Sequence, residues 1–170
     1  MTDKPLAEDT ETTDDSFLNG QIQIRQLRSG YRIGTDAVML AATIQMKAGR
    51  LLDMGAGVGG ISLAIAHRLA DTQITAAEID PVSHALLTHN IALNEQRARI
   101  RSLRADILSL PPVMAGSFDH VVSNPPFHHA SDSPSQSRRR TLAPYETDER
   151  LGEWVDAGLA ALQTQGGLEV

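Results

Sequence analysis

The fold of this chain is indicated first by Asp53-Met54-Gly55-Ala56-Gly57-Val58-Gly59-Gly60. A short strand is predicted over residues 50–52 and a helix over residues 61–69. The order of strand, glycine turn and helix is typical of a cofactor loop, because glycine permits positive φ and a helix N-terminus presents free N–H groups. The glycines also satisfy the dinucleotide fingerprint, so the loop alone suits a nicotinamide or an S-adenosylmethionine cofactor.

Two acidic residues follow the next two predicted strands. Glu78 ends the strand at residues 73–79, 25 residues after Asp53, where a carboxylate can accept from both hydroxyls of a ribose. Asp106 follows the strand at residues 99–103 and can accept from an adenine amine or cap the turn before Pro111-Pro112. Asp80 is followed by Pro81, so it is predicted to cap a helix.

A second motif, Asn124-Pro125-Pro126-Phe127, follows the apolar run at residues 118–122. The two prolines fix φ and remove two N–H donors, so the Asn124 amide and the Pro125 carbonyl are held with their acceptors outward. A substrate NH₂ group can donate to both, and a planar group can stack on Phe127. The structural alternative is a strand that simply ends in a proline turn.

Together these motifs resemble class I S-adenosylmethionine-dependent methyltransferases with a small-methyltransferase domain. The segment Gly34-Thr35-Asp36 is similar to one in the bacterial tRNA(Val) adenine N6-methyltransferase family, and the resemblance covers roughly residues 17–170. It implies an α/β, Rossmann-like fold and methyl transfer from S-adenosyl-L-methionine to an exocyclic amine, with adenine N6 in tRNA as the expected target.

The resemblance also implies roles for individual residues. The catalytic candidates are Asn124, Pro125, Pro126 and Phe127. The cofactor-binding candidates are Gly34, Thr35, Asp53, Gly55, Gly57, Glu78, Asp106, Ile107 and Asn124. Three alternatives stay open: a glutamine N5-methyltransferase, which has Asn-Pro-Pro-Tyr, a nicotinamide oxidoreductase, and a noncatalytic cofactor- or RNA-binding fragment.

Composition is consistent with one enzyme domain in the cytoplasm. The 170 residues suffice for a core, and the sequence has no cysteine, which excludes disulfides and thiolate chemistry. No apolar run reaches the length of a membrane span. The net charge of −6 is concentrated at the N-terminus, since residues 1–16 hold six acids and one base. The rest of the chain, with 15 acids and 14 bases, is nearly neutral.

Three segments are predicted from these patterns. Residues 1–16 are expected to be a disordered acidic tail. Residues 17–48 are expected to form a hairpin and a helix running to Met46, in which Asp36 either caps the helix or helps to hold the amino-acid end of the cofactor. Residues 49–170 are expected to form the cofactor-binding domain, in which Trp154 is a core residue of a helix at residues 151–162.

Residues 128–147 show little periodicity and contain His128, His129 and the basic run Arg138, Arg139 and Arg140. The position beside Phe127 favours a lid whose arginines contact RNA phosphates, and the alternative is a solvated loop. No metal site is predicted, because adjacent histidines diverge and no carboxylate or cysteine lies at ligand spacing.

The sequence ends at Val170, just as a fifth strand of the sheet is predicted to begin after Gly166-Gly167. The family's sheet continues through two more strands, so we expect a fold that is truncated in this strand. A sheet edge exposed in this way would allow self-association.

Overall fold

The computed structural model describes residues 11–29, 32–125 and 148–170, which form seven strands, four α-helices and two 3-10 helices. The strands are β1 (Thr12–Phe17), β2 (Ile22–Leu27), β3 (Gly49–Met54), β4 (Thr72–Glu78), β5 (Ile100–Arg104), β6 (Phe118–Ser123) and β7 (Leu162–Glu169). The helices are α1 (Thr35–Thr43), α2 (Gly60–Arg68), α3 (Pro81–Leu93) and α4 (Asp148–Ala161), with the 3-10 helices η1 (Ile107–Ser109) and η2 (Pro112–Met114).

Five of the strands form one parallel sheet in the order β5-β4-β3-β6-β7. The chain leaves β3 towards β4 and β5 on one side, then returns to build β6 and β7 on the other side. The strand order therefore reverses between β3 and β6, and ligands of such sheets bind beside the carboxyl ends of the strands at this point. This topology confirms the predicted α/β, Rossmann-like fold.

Alternating residues of the central strand β3 divide the core between the two faces of the sheet. Leu51 is buried with Ile65 of α2 in a first core, which also includes residues of α1, α3 and the hairpin. Leu52 is buried with Val121 and Trp154 in a second core beneath α4. Successive strand residues point to opposite faces, so a near-continuous apolar run is what a sheet covered on both faces requires.

The N-terminal hairpin of β1 and β2 is docked on α3 by two asparagines one helical turn apart. Asn90 is fully buried; its Oδ1 accepts from the Arg25 backbone N at 2.8 Å, and its Nδ2 donates to the Arg25 carbonyl at 2.8 Å. Asn94 makes the same pair of bonds to the backbone of Gln23. Nδ2 of Asn90 also donates to the Val58 carbonyl at 2.9 Å, which ties the hairpin to the glycine loop.

The structure corrects two predictions for the N-terminal part. Residues 12–16 are not a disordered tail, because β1 pairs with β2 along its whole length and Asp14 bonds Arg25 across the pair with Oδ1–Nε at 2.7 Å. Residues 1–10 lie outside the described residues. Helix α1 begins at Thr35 and ends at Thr43, and its N-cap is Gly34 without a side-chain hydrogen bond. The prediction that Asp36 caps a helix reaching Met46 was therefore wrong.

The fifth strand of the sheet also differs from its prediction. Strand β7 begins at Leu162, directly where α4 ends, so Gly166 and Gly167 lie within it. A Cβ on Gly167 would meet the His120 ring at 2.7 Å, so any side chain there would have to displace that ring from its place on β6. Two other predictions are confirmed: Trp154 is 3% exposed, and Oδ2 of Asp80 caps α3 by accepting from the Ser83 N at 2.7 Å.

Candidate active site

The glycine loop between β3 and α2 is closed on one side and open on the other. Gly55 has φ +70°, and a Cβ there would lie 3.0 Å from the Trp154 ring, which packs beneath the loop. Gly57 has φ +57°, and a Cβ there would meet nothing within 4 Å among the described residues. The loop therefore needs glycine at Gly55 for packing and leaves space above Gly57, as expected where a ligand approaches the backbone.

Glu78 joins the end of β4 to this loop. Its Oε2 accepts from the Gly57 backbone N at 2.8 Å, and its Oε1 accepts from the Asp80 backbone N at 2.8 Å. Burial raises the pKa of Glu78, although these backbone hydrogen bonds oppose the shift. A carboxylate has about four lone-pair sites. Glu78 thus has the capacity to accept two ribose hydroxyls while it continues to hold the loop.

Asp53 lies beneath the loop and is fully buried. Its Oδ2 accepts from Oγ of Ser62, in the first turn of α2, at 2.6 Å. Its Oδ1 has no hydrogen-bond partner among the described residues. Burial raises the pKa of Asp53 to about 7, against the hydrogen bonds from Ser62. A buried acceptor of this kind favours a nearby cation or donor, because an unpaired charge away from water is costly.

Asp106 and Ile107 follow β5 at the same edge of the sheet. The Ala105 backbone N donates to the Glu78 carbonyl at 3.2 Å, which places the start of this segment beside β4. Oδ1 of Asp106 accepts from the Leu108 backbone N at 3.0 Å and caps η1. Ile107 is buried in the second core. The capping alternative for Asp106 is therefore observed, while contacts of both residues with a cofactor remain predictions.

Asn124 follows β6 directly and lies across the switch point from the glycine loop. Oγ of Ser123 donates to the Met54 carbonyl at 2.8 Å and accepts from Nε1 of Trp154 at 2.8 Å. These bonds hold the last residue of β6 against the last residue of β3. Asn124, the residue after Ser123, is thereby fixed close to Gly55, the residue after Met54.

The N-terminal segment reaches the same place. Nδ2 of Asn124 donates to Oδ2 of Asp36, in the first turn of α1, at 2.8 Å. A Cβ on Gly60 would lie 2.5 Å from the Ile33 side chain, so the residues just before α1 rest on the start of α2. Gly34 and Thr35 join these two contacts along the chain, and their contact with a cofactor remains a prediction.

Some of the predicted site lies outside the described residues, namely Pro126, Phe127, His128, Arg138, Arg139 and Arg140. In the described part of the chain, no cluster of three histidine or acidic side chains could hold a metal ion. The helices described are also too short or too polar to cross a membrane.

Three contacts of the site were not predicted from the sequence. They are the contacts of Ser62 with Asp53, of Ser123 with Met54, and of Trp154 with Gly55. Ser62 and Ser123 are each fully buried within apolar surroundings. The sequence does carry a signal for these contacts, namely a serine within an apolar run, because a buried hydroxyl needs a hydrogen-bond partner. The partner of each serine is distant in sequence or defined only by the fold, so the pattern could not name it.

Solved structures share this arrangement of sheet and helices. The structure of TYW2 from M. jannaschii in complex with AdoMet matches with a TM-score of 0.64 and 16% identity, and covers 94% of this chain and 62% of that one. The fold is that of Rossmann-like methyltransferases. The chain belongs to the methyltransferase small domain family, whose model matches residues 29–143.

Similar sequences include proteins named tRNA1(Val) (adenine(37)-N6)-methyltransferase. The one from Haemophilus influenzae (strain 86-028NP) is 30% identical over 152 residues, which is 88% of this chain and 65% of that protein. The one from Shewanella sp. (strain W3-18-1) is 35% identical over 127 residues, which is 73% of this chain and 53% of that protein. The chain thus spans less than two thirds of the length of these relatives.

The raised pKa of Asp53 predicts how stability depends on pH. The pKa is about 7 in the folded protein and about 3.9 in an unfolded chain, so between these values the folded state holds a proton that the unfolded state has lost. The free energy of unfolding should therefore fall as pH rises through this window, by on the order of 4 kcal/mol from this residue. Glu78, whose pKa is also raised, adds a change of the same sign.

Asp53→Asn cannot ionise and still accepts from Ser62, so most of that fall should disappear in the variant. Urea unfolding of the parent and the variant at pH values from 4 to 8 measures the difference, once a single cooperative transition is established. Parallel pH profiles for the two proteins would show that Asp53 does not hold this proton.

Proposed function

We propose that this chain acts as an S-adenosylmethionine-dependent N-methyltransferase on an exocyclic amine, and that its substrate is adenine N6 in tRNA. The observation that carries the proposal is the position of Asn124, bonded to Asp36 and fixed beside the open glycine loop. Membership of the methyltransferase small domain family supports the reaction class. The names of the Haemophilus and Shewanella relatives support tRNA as the substrate.

The groups around the glycine loop fit S-adenosylmethionine. Glu78 would accept the ribose hydroxyls, and the backbone around Gly55 and Gly57 allows close approach of the ligand. Asp53 and Glu78 are buried carboxyl groups beside the loop, and a positively charged ligand there would favour their ionised forms. S-adenosylmethionine supplies an electrophilic methyl group on a sulfonium ion. The TYW2 structure, which shares the fold, contains AdoMet.

Asp36 determines which way the Asn124 amide faces. A carboxylate is only an acceptor when ionised, so the amide nitrogen must be the atom that meets Asp36, and the carbonyl oxygen occupies the other branch. The negative charge also polarises the amide and strengthens its oxygen as an acceptor. The oxygen is thereby prepared to accept a proton of the substrate amine.

A second acceptor, the Pro125 carbonyl, completes the amine site. An adenine amine is a poor nucleophile because its lone pair is delocalised into the ring. Hydrogen bonds from its two protons to Asn124 and Pro125 favour a pyramidal nitrogen, whose lone pair then faces the methyl group. Positioning supplies most of the rate, and no general base is needed before attack because the methylated ammonium loses its proton readily.

The remaining contacts with RNA are proposed for residues outside the described ranges. Phe127 would stack on the target base, which must leave its own stack to reach the site. His128 would line the mouth of the site, and Arg138, Arg139 and Arg140 would contact phosphates. These roles suit a cytoplasmic protein that modifies structured RNA.

The experiment that tests the substrate supplies labelled S-adenosylmethionine with unmodified tRNA in one reaction and with release factors in another. We expect label in the adenine N6 position of tRNA and none in the protein fraction. Asn124→Ala is the matched inactive control. Label in the release factors alone would show that the substrate is a glutamine side chain and not RNA. Label that persists with Asn124→Ala would show that Asn124 is not needed for the reaction.

Asp36→Ala should lower kcat by roughly ten- to hundred-fold, because the amide of Asn124 loses the partner that orients it. Affinity for S-adenosylhomocysteine should change little if Asp36 acts through Asn124. Steady-state kinetics and calorimetric binding separate the two effects, and Asp71→Ala, which removes an exposed acid before β4, is the control. Lost cofactor affinity with unchanged kcat would instead assign Asp36 to the amino-acid end of the cofactor.

A further inference from the structure

A basic groove lies at the end of the sheet opposite the glycine loop. It has a volume of about 200 Å³ and is formed where β3, β4 and β5 begin. Its polar lining consists of Arg50, Gln73, Thr75, Arg97, Arg99 and Arg101. Four of these side chains are arginines and none is acidic, although the chain as a whole is acidic. The groove is therefore a local concentration of positive charge.

The groove exists because one face of the sheet is left uncovered at this end. Arg50 and Arg101 alternate with Leu51 and Ile100, which are buried in the first core, so the arginines lie on the opposite face. On that face α4 packs against β6 and β7, away from β4 and β5. The side chains of Arg50 and Arg101 are consequently exposed.

The four arginines do not have the same role. Arg99 is structural, because its guanidinium donates to the carbonyls of Ala66, Leu69 and Ala70 at the end of α2. Arg50, Arg97 and Arg101 have no carboxylate within 4.0 Å in the described part of the chain.

Asp119 follows Phe118, which lines the groove, and is bonded to other groups. Its Oδ2 accepts from the Arg50 backbone N at 2.7 Å, and its Oδ1 accepts from the Gln163 side chain. It is therefore bonded to a backbone group and an amide rather than to a guanidinium. The three exposed arginine head groups remain able to meet an external anion.

We propose that Arg50, Arg97 and Arg101 form a second contact with the RNA, which binds phosphates of its backbone away from the methylated base. An arginine guanidinium presents a fork of donors that matches two phosphate oxygens. Arg50 and Arg101 are two strands and two residues apart, or about 12 Å from strand spacing and rise. The inference rests on the proposed RNA substrate.

The distance from the reaction site requires a folded RNA. Strand β3 has six residues, so the groove lies about 20 Å from the edge of the sheet that carries Asn124. Charges this far apart are screened from each other at physiological salt, where the Debye length is about 8 Å. The groove would therefore add affinity and orientation for a large RNA without changing the chemistry at Asn124.

The competing explanation is that basic residues protect β5, an edge strand, from pairing with other chains. Binding of unmodified tRNA to this chain distinguishes the two. We would compare Arg101→Glu and Arg50→Glu with Arg28→Glu, an equal charge change at an exposed residue of the hairpin on the other face of the sheet. Thermal melting and S-adenosylhomocysteine binding of each variant establish that it is folded.

We expect Arg101→Glu and Arg50→Glu to weaken tRNA binding several-fold relative to Arg28→Glu. The slope of log affinity against log salt between 50 and 200 mM should become shallower by roughly 0.7 to 0.9 for each phosphate that the variant no longer neutralises. Affinities and slopes equal to those of Arg28→Glu would overturn the proposed RNA contact at the groove. Methylation of tRNA by the unaltered protein would then still support the proposed function. Absence of tRNA binding by the unaltered protein at 50 mM salt would overturn both.

Discussion

The hydrogen bond from Ser123 to the Met54 carbonyl joins the ends of the two central strands on which the site is built. Both residues are fully buried, and Trp154 donates to the same hydroxyl while its ring supports Gly55. The glycine loop follows Met54, and Asn124 follows Ser123, so this hydrogen bond fixes the distance between the proposed cofactor site and the proposed amine site. A methyl transfer that relies on positioning needs that distance to be constant.

The N-terminal segment closes the site from the other face of the sheet. Asn90 of α3 holds the hairpin and the Val58 carbonyl together, and Ile33 packs on the start of α2. Asp36 is thereby brought to Asn124. The hairpin and α1 thus belong to the proposed catalytic unit, since Asp36 of α1 bonds Asn124 on the opposite side of the switch point.

The structural features that can be predicted from the sequence are those determined by residues close together along the chain. The glycine loop, the end of β4 at Glu78 and the Asp80 cap all follow from neighbouring residues, and the structure contains them. The contact of Asp36 with Asn124 could not be predicted, because it joins residues 88 positions apart and depends on how the hairpin docks. The acidic residues at 14 and 15 resembled a tail because their arginine partners are distant in sequence: Arg25 lies across the hairpin and Arg32 lies beyond its second strand. Strand β7 was misplaced because its two glycines, which usually mark turns, serve close packing: Gly166 against the Leu162 side chain and the Asp119 backbone, and Gly167 against His120.

The proposed methyl transfer depends on binding of S-adenosylmethionine by the glycine loop, and thermal melting of this chain with added ligand measures that binding. At a ligand concentration near 100 times the dissociation constant, S-adenosylmethionine should stabilise the protein by about 2.7 kcal/mol, and NAD should not. Glu78→Gln should reduce this protection, because the proposed ribose acceptor is weakened. Protection by NAD alone, with none from S-adenosylmethionine or S-adenosylhomocysteine, would show that the loop is a nicotinamide site.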